Sequence, residues 1–369
     1  VAVTFGHGDA AQPVADMPVA ASILPQGEAR MARVAVVTGG TAGIGLATAH
    51  RFAAGGWSVA VVARDPGRLA ATERALAAYG QPVLAIAADV ADPQAVDAAA
   101  ARIEAELGPI RAWVNNAMST VVNPADQITP DEYRRVTETT YLSQVYGTLA
   151  ALRYMKPRNR GAIIQVSSGL AIRAAPLQAP YCAAKFAVSG FTDALRCELL
   201  HDRVAVSLSV VYLPAVNTPQ FNWARNRTGH RQYAPDPVFD PRLCAEAIVY
   251  AVDHPRREVW VGRSSMMMAA AQALAPALAD RKAASMWSAQ LSDTTIPEMA
   301  GNLYDPVPGE VGIDGRFTDR MKSTRGEFCT SRTRDLVVGG IAGLALLGLA
   351  GAAAAATRPR RAALRHRDR

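Results

Sequence analysis

The sequence predicts an α/β fold: a doubly wound parallel sheet of seven strands with helices on both faces. Two observations carry this. Short β-branched runs such as "VAVVTGG", "SVAVVARD" and "PVLAIAADV" have the continuous apolar character of strands buried on both sides. Between them lie alanine-rich stretches of helical spacing, several ending in glycine, and regular strand–helix alternation implies a parallel sheet.

The elements follow in order. "VAVVTGG" is the first strand, "IGLATAHRFAAGG" a helix, "SVAVVARD" the second strand and "GRLAATERALAAYG" a helix. "PVLAIAADV", "PQAVDAAAARIEAELG" and "IRAWVNNA" continue the pattern as strand, helix, strand. A long helix then starts at Thr129, a good N-cap, with Pro130 in its first turn. "GAIIQVSS" is the fifth strand, "PYCAAKFAVSGFTDALRCELL" a helix and "VAVSLSVVYLP" the sixth strand; "CAEAIVYAVDH" and "REVWVG" complete the series. The α/β domain is thereby placed at residues 31–262.

The flanks differ in character. Residues 1–30 contain Pro13, Pro18 and Pro25 without periodicity, and lack a basic region followed by an apolar run. They read as a flexible leader with no secretory signal, and translation beginning at Met31 fits as well. Residues 263–335 form a C-terminal extension: an apolar helical stretch, "SSMMMAAAQALAPAL", suited to covering a pocket, and from 291 a polar linker. Residues 336–356 carry no charge and reach the ~20 residues of a membrane helix. A single membrane-attaching span is the expectation there, with the α/β domain in the cytoplasm. The basic tail 357–369 follows.

Composition narrows the function. The chain has 369 residues, 50% hydrophobic, with net charge +7. Six arginines of the tail supply most of that excess, so the body is nearly neutral and nucleic-acid binding is not expected. Four cysteines without a CxxC pair fit a reducing compartment, and six histidines without HxxxH spacing argue against a metal centre.

The chemistry starts at "TGGTAGIG", where Gly39, Gly43 and Gly45 sit between strand and helix. Glycines there allow backbone N–H groups to approach a pyrophosphate at the positive helix end. At the end of the second strand, an acidic residue would accept from a free ribose 2′-hydroxyl. This chain has Ala63 and Arg64. A guanidinium pairs with a 2′-phosphate, so NADP(H) is expected over NAD(H).

"TGGTAGIG", "NNA" at Asn115–Ala117, Ser167–Ser168 and "YCAAK" together resemble the short-chain dehydrogenase/reductase family, with its Rossmann-type fold, over roughly residues 32–262. The resemblance implies cofactor contacts at Thr38, Gly39, Thr41, Gly43, Ile44, Gly45, Asp89, Val90, Asn116 and Thr218. It implies a catalytic set of Ser168, Tyr181 and Lys185, with Thr140 at the place of a relay asparagine. Tyr181 would be the general acid and base. Lys185, one helical turn on, would lower the phenol pKa and hold the nicotinamide ribose. Ser168 would polarise the substrate oxygen.

Three departures from the family pattern stand out. Thr140 replaces the asparagine, Met118 replaces the last glycine of NNAG, and Ala215 replaces the glycine after Pro214. The expected activity is interconversion of a ketone or aldehyde with an alcohol on a small hydrophobic substrate. A catalytically silent dinucleotide-binding regulator is opposed by the intact Ser168, Tyr181 and Lys185. Sugar-nucleotide dehydratase or epimerase chemistry is opposed by the glycine spacing and the short substrate region. Subunit packing through helices is common in the family, so a homo-oligomer is a further expectation.

Overall fold

The computed structural model describes residues 33–309, 311–322 and 328–332. The leader, the apolar segment 336–356 and the basic tail lie outside the described residues. Among the described residues, no helix is long and apolar enough to cross a membrane.

The seven expected strands all form. They are β1 (Val34–Thr38), β2 (Ser58–Ala63), β3 (Val83–Ala87), β4 (Ile110–Asn115), β5 (Gly161–Ser168), β6 (Val206–Leu213) and β7 (Glu258–Val261). They pair in parallel in the order 3-2-1-4-5-6-7. An eighth strand, β8 (Phe328–Thr330), adds antiparallel to β7 from the C-terminal extension. The strand order reverses between β1 and β4, and in open α/β sheets this is where a crevice opens for ligands.

Alternation along β1 shows why both sheet faces are covered. Ala35 and Val37 join one core with Phe52 and Trp57, while Val34 and Val36 join the other with Trp113 and Met155. Helices α1 (Gly43–Ala54), α2 (Pro66–Ala77) and α6 (Pro241–Asp253) contribute to the first core. Helices α3 (Pro93–Glu106), α4 (residues 130–155) and α5 (Ala179–His201) contribute to the second.

Helix starts are written locally. Asp65, Asp92, Thr129 and Asp240 each precede a proline and cap α2, α3, α4 and α6 by accepting backbone N–H groups. Thr129 and Glu132 form a reciprocal capping box. Helix α1 has no side-chain cap, which leaves its first N–H groups to other acceptors. The middle of α4, Glu138–Leu142, is π-helical, a feature the sequence pattern does not predict.

The extension departs from expectation. Its apolar part forms α7 (Arg263–Leu274) and α8 (Pro276–Ala284), as predicted. The described part of 291–335 is not a free linker. Leu291–Thr295 pairs with His230–Gln232, and Leu303 and Phe317 are buried. Isolated apolar side chains among glycines and prolines read as linker, yet each finds a pocket on the domain.

Candidate active site

The glycine turn follows β1 directly. Gly43 has φ +52°, a conformation that penalises any side chain. A Cβ at Gly45 would stand 2.2 Å from the Gly39 carbonyl oxygen, so only glycine lets α1 start this close to β1. Thr38 braces the turn from below. Its hydroxyl donates to the Val114 carbonyl and accepts from the Asn116 and Ala117 N–H groups. The Asn116 amide returns a 2.9 Å bond to the Thr38 carbonyl. This clamp joins β1 to β4 across the strand-order reversal.

A cavity of about 400 Å³ opens above the clamp. Gly39, Thr41, Gly43, Ile44, Gly45, Arg64, Asp89, Val90, Asn116, Ser168, Tyr181, Lys185 and Thr218 all line it, so sequence-distant candidates meet in one cleft. Two expected residues do not line it. Thr38 is consumed by the clamp. The buried Thr140 hydroxyl donates to the Ser119 carbonyl at 2.8 Å and accepts the Ser119 N–H at 3.0 Å. Thr140 thus ties α4 to the segment leaving β4 instead of reaching the cleft.

At one end, Arg64 donates to the carbonyls of Tyr304 at 2.5 Å and Asn302 at 2.6 Å. Asp89 accepts from Arg135 and from the Ala91 N–H. Asp65, which also lines the cleft, commits one carboxylate oxygen to the Arg68 N–H as a helix cap. Two buried polar atoms of cavity-lining residues here, Arg68 Nη2 and Asn302 Oδ1, find no partner among the described residues. Together with the glycine cradle, this donor and acceptor set fits a phosphate-bearing nucleotide.

At the other end lie Ser168, Tyr181 and Lys185. Ser168 stands at the end of β5, and its Oγ accepts the Leu170 N–H at 3.1 Å. Its side chain also hydrogen-bonds Tyr181. Lys185 is almost wholly buried, and its Nζ donates to the Val166 carbonyl at 2.7 Å. Burial pushes the Tyr181 phenol above its ordinary pKa, against the opposing Ser168 hydrogen bond. Burial also draws the Lys185 ammonium down to about 7. The spacing predicts a lowered phenol; in the folded chain desolvation dominates instead, and Lys185 is itself pushed toward its neutral form.

The surrounding wall is largely apolar. Met118, Leu170, Phe221, Met268 and Met286 line it. The last two come from the extension, which also supplies Gln290. That buried amide receives Gln178 Nε2 at 2.6 Å and donates to the Pro176 carbonyl. Gln290, Asn302 and Pro306 were not legible as site residues, because nothing in their sequence neighbourhood marks them; the only hint was the apolar helix preceding them.

The family profile described as short chain dehydrogenase matches residues 33–228. The chain belongs to the short-chain dehydrogenase family. It is 30% identical over 323 residues to an uncharacterized oxidoreductase, YxnA, of Bacillus subtilis, covering 85% of this chain and 88% of that protein. It is 29% identical over 228 residues to a fatty acyl-CoA reductase of Acinetobacter baylyi, covering 61% and 75%. It is 32% identical over 191 residues to a 3-dehydrosphinganine reductase of Danio rerio, covering 50% and 57%. Family membership makes this an oxidoreductase acting on a small molecule with NAD(H) or NADP(H).

Proposed function

We propose that the protein is an NADP(H)-dependent reductase of a ketone or aldehyde on a hydrophobic substrate. The convergence of Ser168, Tyr181 and Lys185 in one cleft, with Tyr181 held as a neutral phenol, carries this reading. The cofactor supplies the hydride when bound. Thr41, Ile44 and the N–H groups of the glycine turn other than that of Gly43, which the Gly312 carbonyl takes, would hold its phosphates, Asp89 and Val90 its adenine side, and Thr218 its nicotinamide side. Arg64 and Arg68 face the 2′-phosphate. Asp65 commits one carboxylate oxygen as a helix cap.

Ser168 Oγ orients the substrate carbonyl oxygen, and Tyr181 Oη donates its proton to that oxygen as negative charge develops there. The charged form of Lys185 steadies the phenolate left behind. The raised phenol pKa keeps the proton on Tyr181 at neutral pH, the state that reduction starts from, and the charge of Lys185 has to offset the weaker acidity as the proton leaves. The reverse oxidation needs the phenolate and therefore a more alkaline medium.

The methionine-rich wall supports a hydrophobic substrate, since this flexible side chain adapts to irregular apolar shapes. Two relatives named for acting on a fatty acyl-CoA and on 3-dehydrosphinganine point the same way. The test is NADPH oxidation against aldehydes and ketones of increasing alkyl length. Turnover should rise with chain length; turnover confined to short polar carbonyls would refute the hydrophobic assignment.

A further inference from the structure

The segment 299–309 and 311–322 of the extension runs along the whole cofactor side of the cleft. The Asn302 and Tyr304 carbonyls accept from Arg64, and the Leu303 carbonyl accepts from Arg135 at 3.1 Å. Arg135 in turn holds Asp89. Farther on, the Gly309 carbonyl accepts from Arg68 at 3.2 Å. The Gly312 carbonyl accepts the Gly43 N–H at 3.1 Å, at the uncapped start of α1. The Asn217 side chain accepts the Phe317 N–H at 2.8 Å, beside Thr218. Two side chains anchor the segment in the protein: Leu303, packed with Val121, Ile128 and Val136, and Phe317, packed with Ala234 and Val238. A two-pronged ion pair, Arg242 to Asp314 at 2.8 and 2.7 Å, fastens it to α6.

We propose that this segment is a roof over the cofactor channel, which must lift for the dinucleotide to enter or leave. The inference rests on the reading of the cleft as a cofactor site. A segment filling the groove would leave no space beneath it. Here a cavity of about 400 Å³ persists, lined by Gly39 and Asp89 of the sheet ends and by Asn302 and Pro306 of the segment. The roof therefore adds to the walls of the site. Its hold is made mostly of backbone carbonyls on arginines, charge-assisted bonds that form only when it is closed. Lifting of such a cover commonly limits release.

The Arg242–Asp314 pair is the contact to break, because it lies outside the cleft lining and is about half exposed on the Arg242 side. Arg242→Ala, Asp314→Ala and the double variant are compared with the wild-type full chain by stopped-flow fluorescence of NADPH. Release should be about two- to fivefold faster, the size expected for one well-formed surface pair. Association should be faster as well, and the double variant should match Arg242→Ala, since the Asp314 pair is lost in both, while Arg242→Ala also loses a 3.2 Å bond to Asp240, the cap of α6 itself, away from the roof. Trypsin cleavage after Arg316 or Arg320 should quicken in the variants, and NADPH should slow it in the wild type. Wild-type rates in the variants, with NADPH bound normally, would overturn the roof alone. Tighter NADPH binding in the variants would make the segment a competitor and overturn it too. A wild-type chain that binds neither NADPH nor NADH would overturn the cofactor site and the roof together.

Discussion

The Lys185 ammonium lies 5.7 Å from the Tyr181 ring centroid, yet its close partner is the Val166 carbonyl, 2.7 Å away. The two side chains share one face of α5, as spacing by four requires. Lys185 is buried and Tyr181 partly so, and desolvation drives each toward its neutral form. The resting site therefore keeps a proton on the phenol, while Lys185 is charged only when the medium is near or below neutral.

This sets the pH dependence of reduction. The Lys185 ammonium, which steadies the developing phenolate, is present below about 7 and lost above it. Because kcat/KM reports groups of the free enzyme, it should be level at low pH and fall as pH rises through about 7. Lys185→Arg stays charged throughout and should abolish that fall, at a lower maximum. A wild-type profile that is flat or rising from pH ~6 to ~9 would contradict the assignment.

Stability should respond to the same residue in the opposite sense. The folded pKa of Lys185 lies near 7 against an ordinary 10.5, so between those values the unfolded chain binds more protons. Its burial thus costs most below pH 7, and the cost shrinks as pH rises toward 10.5. Lys185→Met should raise Tm, most at acidic pH, by about 2–4 °C for each kcal/mol recovered. An unchanged or lower Tm at acidic pH would show that the Val166 hydrogen bond outweighs desolvation.

Tyr181→Phe removes the proton donor and little else. Turnover should fall by roughly 10²–10⁴-fold. NADPH affinity, measured by fluorescence titration, should stay close to wild type. Near-normal turnover would move the donor elsewhere.

Arg64→Ala tests cofactor choice. Only NADPH carries a 2′-phosphate, so its dissociation constant should rise much more than that of NADH. The lost charge-assisted contact is worth about 1.5–3 kcal/mol, or roughly ten- to a hundredfold. Equal losses for both cofactors would mean that Arg64 serves only to hold Asn302 and Tyr304.

What was legible in the sequence follows from how the signals are made. Strands such as Val34–Thr38 are buried at every position, and helix starts carry their own Asp-Pro or Thr-Pro mark, so local composition suffices. The glycine turn, Ser168, Tyr181 and Lys185 were legible because each needs a particular residue type. The roof was not, because Asn302, Leu303, Tyr304, Gly309 and Gly312 act there through backbone carbonyls that any residue possesses. The upward shift of Tyr181 was hidden as well, since desolvation depends on what the rest of the chain packs around the phenol. Thr140 stands where the family resemblance puts a relay asparagine, but only the fold shows its hydroxyl spent on both backbone groups of Ser119.

Glu132 offers the last prediction, on how the loop after β6 is held together. Its buried carboxylate caps its own helix at the Thr129 N–H and accepts from Arg225 and Arg227 of the loop after β6. Burial alone would raise its pKa, but the Arg225 hydrogen bond, the Thr129 N–H and the two positive charges hold it below the ordinary value. The stability it contributes is present above the ordinary 4.5 and is lost as pH falls through the lower folded value. Glu132→Gln keeps the shape and removes the charge, leaving two arginines without their anion. It should cost about 1–3 kcal/mol in denaturant unfolding at neutral pH. The gap between variant and wild type should close in acid, where the wild-type carboxylate is itself protonated. Because Arg225 and Arg227 belong to the loop that carries Trp223 to the cleft, where its ring lies against Arg68 and its carbonyl accepts the Asn302 N–H, KM for NADPH should rise more than kcat falls. A stability gap that persists unchanged at low pH would assign the effect to packing and not to the charge of Glu132.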